Sequence, residues 1–448
     1  MSDPTADAGH PGHRREIVRL AVPAFLALIA EPLFLLADSA IIGHLGTAEL
    51  AGLGVASAAL VTAAGIFVFL AYGTTSVVAR HLGAGDERSA VSAGIDGFWL
   101  ALGLGALTAA AVAVWAGPVS AVFGASPAAL EQATTYLRIS ALGIPAMLVV
   151  LAVTGVLRGL QDTTTPLVAS VVGFGANIVL NLVFVYRLHW GIAGSAWGTV
   201  IAQTGMGVAL VSVLLVKARA RHARLRPHPA RVLAAGRTGI PLLVRTLALR
   251  ATLLATTWVA ASLGDVTLAA HQVAMTVWAF LAFALDALAI AGQAITGRAL
   301  GAGDRGGVRL AMGTMVRWGV WGGLALGLVI AGLHSVVPPL FTPDPAVQEA
   351  LGAALVVVGL GEAVAGYVFV LDGVLIGAGD GWWLAWGMVA TFVAYLPLLL
   401  AVRSAGPSGS PTHDVVVLWA AFTAFMVIRG VALGWRARGD DWMVVGAR

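Results

Sequence analysis

Long apolar runs, repeated twelve times along 448 residues, are the feature that most restricts how this chain can fold. An α-helix needs about 20 predominantly apolar residues to cross the hydrocarbon core of a bilayer, and each run reaches that length. Charged residues make up only 11% of the sequence, whereas soluble proteins carry about a quarter. Too little polar surface remains to face water on every side. The sequence therefore predicts an all-α integral membrane protein with twelve transmembrane helices.

Lysine and arginine residues are concentrated in alternate loops, and this bias sets the predicted orientation. Seven lie between Lys217 and Arg237, whereas the loops of the opposite side contain only Arg187 and Arg403. Basic loops remain in the cytoplasm, so both termini are predicted to be cytoplasmic, in a plasma (inner) membrane of bacterial type. We interpret the basic residues as topology signals with membrane lipid as their neighbour, and we expect no nucleic-acid partner.

An internal repeat divides the chain into two halves. Shifting the sequence by 218 positions places ARHLGAGD at 79–86 on GRALGAGD at 297–304, and GVLRGLQD at 155–162 on GVLIGAGD at 373–380. In the shared LGAGD motif the glycines are predicted to end one helix and the aspartate to cap the next. Six spans per half means that the halves run in the same direction, related by an axis along the membrane normal.

The repeat also predicts the domain organisation. The predicted divisions are a cytoplasmic tail at 1–16, a first lobe at 17–216, a basic cytoplasmic linker at 217–237, a second lobe at 238–434 and a cytoplasmic tail at 435–448. Paired bundles of this kind enclose a central cavity and alternate the side to which it opens. The repeat therefore favours transport over catalysis.

The residue types needed for most enzyme chemistry are missing. The chain has no cysteine, which excludes disulfides, thiolate metal sites and cysteine nucleophiles. The glycine-rich GLGEAVAG at 359–366 lies inside an apolar span with no strand before it, so it is not a dinucleotide site. An intramembrane enzyme would need a catalytic group of residues at one depth, and no histidine or cysteine motif supplies it. We expect neither an enzyme nor a bound metal or cofactor.

Several segments resemble the multidrug and toxic compound extrusion (MATE) family, and within it the DinF-like branch. The matching segments are EPLFLLADSAIIGHLGTAELAGLG at 31–54, ARHLGAGDERSA at 79–90, GVLRGLQDTTTPL at 155–167, NIVLNLVFVY at 177–186, RTLAL at 245–249 and AFALDALAIAGQAITGRALGAGD at 282–304. The resemblance covers both halves. It implies two six-helix lobes facing each other in a V, and export of organic, often cationic compounds in exchange for protons or sodium.

Two carboxylic acids lie in the first span. Counting about 1.5 Å per residue from Arg19 places Asp38 about 28 Å along the helix, toward the outer leaflet. A carboxylate there could bind a proton from outside and release it to the cytoplasm, attracting a cationic substrate only while charged. The resemblance points to the same residue, because the family's first-helix carboxylate falls on Asp38. Glu31 is a candidate for the same pocket. The repeat places Leu249 and Thr256 at the matching positions, so the scaffold itself does not require acids there.

Three amide side chains are further candidates for the cavity. Asn177 and Asn181 lie four residues apart on the fifth span and share one helix face. They match the family's fifth-helix polar pair, although other members often carry aspartate where Asn181 lies. Gln203 on the sixth span is a similar candidate. Interhelical hydrogen bonding is the structural alternative for all three.

The second half carries its own charges within the apolar spans: Arg245 and Arg250 on the seventh, Asp286 on the eighth and Asp372 on the tenth. Arg250 and Asp286 lie about 18–20 Å from cytoplasmic arginines, and Arg245 and Asp372 also match in depth. We predict a charge network of two ion pairs, which would be structural or part of a gate.

These observations lead to one preferred function and two alternatives. The preferred function is proton-coupled export of small organic compounds, amphipathic or cationic, by a monomer that works by alternating access. Sodium coupling on the same fold is the first alternative. The second is a flippase for lipid-linked precursors, which would use inward-facing cations such as Arg245 and Arg250.

Overall fold

The computed structural model describes residues 11–122 and 126–447, with side chains from residue 14 onward. Fourteen α-helices run through these residues, and no strand occurs in them. The helices of the first half are α1 (Pro11–Gly43), α2 (Thr47–Phe67), α3 (Phe69–Gly83), α4 (Glu87–Ala121), α5 (Pro127–Ser140), α6 (Ile144–Gly159), α7 (Thr164–Leu182) and α8 (Gly191–Ala220). Those of the second half are α9 (Pro229–Ser262), α10 (Asp265–Gly301), α11 (Arg305–Gly332), α12 (Pro345–Gly377), α13 (Gly381–Ala405) and α14 (Pro411–Arg438).

Twelve of the described segments are long and apolar enough to cross a membrane, as predicted. Helices α2 and α3 together form the second of them, and α5 and α6 form the fourth. The helix ends lie further out than the hydropathy pattern indicated. Helix α1 begins at Pro11, inside the predicted tail, whose residues 1–10 lie outside the described part of the chain. Helices α8 and α9 leave only 221–228 of the basic linker non-helical. Charged residues end the apolar pattern without ending a helix, because they can extend into water.

The prediction for the LGAGD motif is confirmed in both halves. Helix α3 ends at Gly83, and Gly85 adopts a left-handed φ of 78° before Asp86 accepts a 2.9 Å hydrogen bond from the Ser89 amide. In the second half, Gly303 has a φ of 80° and the Asp304 side chain accepts from the next helix in the same way. Both motifs are helix stops followed by helix starts.

The repeat is also visible in how the helices pack. A Cβ on Gly159 of α6 would lie 2.8 Å from the Thr75 carbonyl of α3, too close for any side chain. At the positions shifted by 218, a Cβ on Gly377 of α12 would lie 2.7 Å from the Gln293 backbone of α10. Small residues allow membrane helices to approach at backbone distance. The same glycine contact therefore holds equivalent helices together in each half.

The chain forms two compact units. The first consists of Val22–Ile240 with the last residues from Gly446, and the second of the residues up to Ala21 with Pro241–Val445. In the first unit, one end of the bundle is filled by a cluster of buried side chains that includes Ile42, Leu53 and Leu137. Asp38 lies one helical turn from Ile42 on α1, so this apolar cluster is its immediate setting.

Candidate functional site

Helix α1 holds Asp38 in the interior of the first unit. Only 2% of the residue is exposed, and the next residues on the same helix face, Ile41 and Ile42, are buried as well. A helix places residues three and four apart on one face, so the acid shares the face that packs inward. A buried carboxylate needs partners that replace its lost hydration.

Two uncharged donors supply those partners. The amide Nδ2 of Asn181 on α7 donates to Asp38 Oδ1 at 2.8 Å, and the hydroxyl of Ser195 on α8 donates to the same oxygen at 2.7 Å. Asn181 and Ser195 are both fully buried. Among the ion pairs formed by the described residues, none involves Asp38. The carboxyl group is therefore stabilised by hydrogen bonds, and no cation among the described residues pairs with it.

A second layer of polar side chains surrounds this contact. The Asn177 amide donates to the Thr199 hydroxyl at 3.2 Å. The Tyr136 hydroxyl lies beside the Asp38 carboxyl and 3.5 Å from the Thr199 hydroxyl. We call these six buried residues the Asp38 cluster: Asp38, Tyr136, Asn177, Asn181, Ser195 and Thr199. Four helices contribute to it, namely α1, α5, α7 and α8.

Two amide oxygens in the Asp38 cluster lack donors. Asn177 Oδ1 and Asn181 Oδ1 are buried and have no hydrogen-bond partner among the described residues. The Asn181 oxygen lies directly against Gly198, where any Cβ would overlap it. Unpaired buried acceptors are rare, since each one forfeits its hydration. These oxygens are available to a proton on a neighbouring group or to a bound cation.

The other two predicted cavity residues lie apart from the Asp38 cluster. Glu31 is exposed on the surface of α1, two turns before Asp38. Gln203 is half-buried on α8, and its side chain lies beside Gly143 at the junction of α5 and α6. Neither makes a hydrogen bond with a member of the Asp38 cluster. The structure thus brings Asp38, Asn177 and Asn181 together and leaves Glu31 and Gln203 outside.

The second unit contains a buried charge network of its own. Arg245 on α9 forms a bidentate ion pair with Asp372 on α12, with one contact of 3.1 Å from Arg245 Nε. Arg429 on α14 approaches the same carboxylate at 3.0 Å. All three side chains are at most 10% exposed. Two guanidinium groups around one carboxylate leave the Arg245–Asp372–Arg429 triad with a net positive charge.

The second predicted pair has a different outcome. The ion pairs of the described residues do not include one between Arg250 and Asp286, and both side chains are only half-buried. Equal depth along neighbouring helices does not fix which faces the side chains occupy. Equal depth was enough to predict the ion pair between Arg245 and Asp372, because both side chains lie on inward faces of their helices.

Sequence reasoning missed four contributors: Tyr136, Ser195, Thr199 and Arg429. Ser195 and Thr199 had a detectable signal, because they precede Gln203 at intervals of four and share its helix face. Arg429 also had one, since it is an isolated charge within the apolar run of α14. Tyr136 had none, because an aromatic residue in an apolar span is normally a packing residue.

Fold and site together define a class of protein. The described residues contain no group of three or more side chains of the type that holds a metal ion. The chain offers instead twelve membrane-length helices, a repeated half and a carboxylate buried in one half without a counter-ion. This combination is that of a multi-pass membrane transporter.

Comparison with known proteins identifies the family. The family model described as MatE matches residues 23–183 and again 241–402, so the chain belongs to the MatE family, whose members are transporters and not enzymes. The chain is 32% identical over 96% of its length to Protein DETOXIFICATION 44, chloroplastic, of Arabidopsis thaliana, covering 84% of that protein. It is 31% identical to DNA damage-inducible protein F of Escherichia coli (strain K12), covering 94% of this chain and 92% of that one.

A third relative and a solved structure extend the comparison. A probable multidrug resistance protein NorM of Rhizobium meliloti (strain 1021) is 28% identical, with 96% of this chain and 94% of the relative covered. A crystal structure of a Vibrio cholerae MATE transporter superposes with a TM-score of 0.87 at 20% identity, over 98% of this chain and all of that one. The chain is therefore a MATE-family transporter of the DinF-like branch.

Proposed function

We propose that this transporter exports amphipathic or cationic organic compounds in exchange for protons, with Asp38 as the coupling group. The observation that carries the proposal is the environment of Asp38, a buried carboxylate that two neutral donors hold without a counter-ion. A charge that no fixed cation balances is free to be balanced by a mobile one, either a proton or a cationic substrate.

The two mobile cations would compete for the same acid. While Asp38 is ionised, its negative charge attracts a cationic compound. When a proton binds from outside, the attraction disappears and the compound is released. The protonated carboxyl gains an O–H donor, and the unpaired oxygens of Asn177 and Asn181 are suitable acceptors for it. Exchange on one acid couples the two fluxes because both cations cannot occupy it together.

Sodium coupling is a second candidate, favoured by those same oxygens. Hard cations bind to carboxylate, amide and hydroxyl oxygens, and the Asp38 cluster offers all three. The two donors on Asp38 Oδ1 support the proton, because they leave Oδ2 as the carboxylate oxygen that remains for a cation, and a proton needs only that one oxygen. The flippase alternative receives less support, since the guanidinium group of Arg245 is buried against Asp372.

The proposed orientation places both termini and the 217–237 linker in the cytoplasm, in a plasma (inner) membrane. The basic residues of that linker support it. The proposed direction of transport is from the cytoplasm outward.

The test is efflux of ethidium or rhodamine 6G from membrane vesicles, with a proton gradient and a sodium gradient imposed separately. We expect the wild-type protein to respond to the proton gradient alone. The Asp38→Asn variant should fall to the rate of vesicles without the protein, because its side chain cannot take up a proton. Glu31→Gln is the matched control on the same helix, and it should retain efflux because Glu31 lies outside the Asp38 cluster.

Two results would overturn the proposal. Full proton-driven efflux by Asp38→Asn would remove the coupling role of that acid. A response to sodium alone, lost in Asp38→Asn, would keep the site and replace the coupling ion. Size-exclusion profiles of both variants check that folding is unchanged.

A further inference from the structure

A second polar site lies in the first unit, at the end that carries the basic linker. A cavity of about 360 Å³ is enclosed there by α3, α4 and the first turns of α9. Its volume lies within the range of about 300–1,000 Å³ that holds small organic ligands. The walls are mostly apolar, formed by residues such as Phe69, Leu70 and Leu100. None of the Asp38 cluster residues lines it.

The cavity contains a carboxylate that is buried and unpaired. Asp96 on α4 lines the cavity with only 7% of its surface exposed. Among the described residues no hydrogen bond or ion pair involves its carboxyl group. A carboxylate without such partners is among the most costly groups to bury. Asp96 can therefore accept hydrogen bonds from a group that enters the cavity.

A histidine on the neighbouring helix lines the same space. His81 on α3 is one of the lining residues, and its Nδ1 is enclosed by protein without a hydrogen-bond partner, which leaves Nε2 as the ring nitrogen that an occupant can reach. A neutral imidazole carries one ring nitrogen that accepts a hydrogen bond. A carboxylate and an imidazole nitrogen together match a group that donates several hydrogen bonds and carries positive charge.

The basic residues of the linker define the open side of the cavity. Arg231 lines it but is exposed, and Arg231, His228 and Arg224 all lie within electrostatic range of Asp96, with Arg231 having the largest effect of the three. The linker contacts α4, where Trp99 donates to the Leu225 carbonyl at 3.1 Å. The cations are thus at the rim, whereas the unpaired acceptors are deeper.

We propose that this cavity binds an amphipathic organic ammonium compound, with its N–H groups on Asp96 and His81 and its apolar body against α3 and α4. The site is separate from Asp38 and does not depend on the coupling mechanism. The repeat supports a specific role over a scaffold role, because the positions shifted by 218 are Thr314 and Ala299, which cannot form such a site.

The test is binding of a matched pair of probes to the purified full-length protein in detergent, with no gradient present. The probes are 2-naphthylmethylammonium and the neutral 2-naphthylmethanol, which share one apolar body. We expect saturable binding of the ammonium probe and an affinity about ten- to hundredfold lower in Asp96→Asn, since hydrogen bonds to charged groups have effects of that size. The alcohol should show no such difference.

Three further variants locate the bound probe. Asp38→Asn should leave the affinity unchanged, and Arg231→Gln should raise it by removing a like charge from the rim. Ala93→Cys introduces a single thiol on the cavity wall of a chain that has no cysteine. The ammonium probe should slow the reaction of this thiol with a maleimide. Ala209→Cys places a thiol in a separate apolar groove between α7 and α8, and the probe should not change its reaction rate.

The outcomes separate this site from the coupling site. If Asp38→Asn abolished binding while Asp96→Asn retained it, the probe would occupy the Asp38 cluster and the cavity proposal would be wrong. A loss of affinity for the ammonium probe in Arg231→Gln would mean that Arg231 helps to hold the probe instead of repelling it, and would also overturn the proposal. Neither result would affect the proton-coupling proposal, which is tested by vesicle transport.

Discussion

The two halves share one helical framework but place different polar groups at equivalent positions. In the first half Asp38 is held by Asn181 and Ser195. A shift of 218 converts Asp38 to Thr256 and Asn177 to Tyr395. Those two residues form a 3.0 Å hydrogen bond to each other, both of them fully buried. The second half therefore fills the same position with a neutral pair that has no proton to exchange near neutral pH.

The charges of the second half lie elsewhere and are balanced differently. Asp372 is enclosed by Arg245 and Arg429, so its charge is compensated by fixed cations. A carboxylate bound to guanidinium groups stays ionised and stabilises the helices that carry it, whereas one with neutral donors can change its protonation state. The two halves are similar bundles, and under the proposed coupling the partners around one acid in each half determine which half exchanges protons.

The strongest test of this comparison moves the carboxylic acid from position 38 to the equivalent position 256 of the second half. The double variant Asp38→Asn with Thr256→Asp keeps one carboxylic acid at these two equivalent positions but places it in the second half. We expect proton-driven dye efflux to remain at background, because Leu399 stands where the first half has Asn181. The single variant Thr256→Val is the control and should transport normally. Recovery of efflux in the double variant would show that the halves are interchangeable.

Removing the acid of the triad should have a structural effect. Asp372→Asn removes the carboxylate that Arg245 and Arg429 share, and breaking a buried ion pair costs about 3–5 kcal/mol. We expect a clear fall in the unfolding temperature of the protein in detergent. Asp38→Asn is the contrasting variant and should unfold near the wild-type temperature. Equal stability of the two variants would contradict the proposed difference.

Replacing a neutral donor should weaken transport without abolishing it. Asn181→Leu installs the residue of the second half and removes one hydrogen bond to Asp38. We expect efflux to slow about tenfold, the effect of losing one hydrogen bond to a charged group. Leu399→Met, a change of similar volume in the second half, should have little effect. An unchanged rate in Asn181→Leu would mean that Ser195 alone positions the acid.

The smallest effect is expected from a single methyl group. Gly198→Ala puts a Cβ against the Asn181 oxygen and should displace that amide, at about 1 kcal/mol in stability and a modest loss of efflux. Gly205→Ala, on the same helix, has open space around the added Cβ. That control should transport normally and be no less stable, because alanine favours helices. Identical behaviour of the two variants would argue against a role for the Asn181 amide.

Most of the fold could be predicted because its signals are local. The apolar runs predicted the twelve spans, and aligning the sequence with itself at an offset of 218 residues revealed the internal repeat. The LGAGD motif gave the helix stops at Gly83 and the cap at Asp86, since both depend only on neighbouring residues. Helix ends were less accessible, because α1 and α9 extend into polar sequence that hydropathy assigns to tails and linkers.

The site could be predicted only where a residue was anomalous for its span. Asp38, Asn177 and Asn181 were recognisable as polar groups in apolar helices, partly through a resemblance to known transporters. Ser195 and Thr199 had only a weak signal, their spacing of four from Gln203, because small hydroxyl residues are common in membrane helices. The pairing of Arg245 with Asp372, and the absence of one between Arg250 and Asp286, depends on helix rotation, which spacing along one chain does not determine.

One feature of the Asp38 cluster sets a thermodynamic limit on the proposed exchange. With amides and hydroxyls as its neighbours, the cluster offers a single acid and therefore one proton per cycle. Trading one proton for one monovalent cation moves no net charge, so the membrane voltage cannot drive it. The pH difference across the membrane is then the only driving force for the exchange. A difference of one pH unit supplies about 1.4 kcal/mol, which sustains about a tenfold concentration ratio of the exported compound.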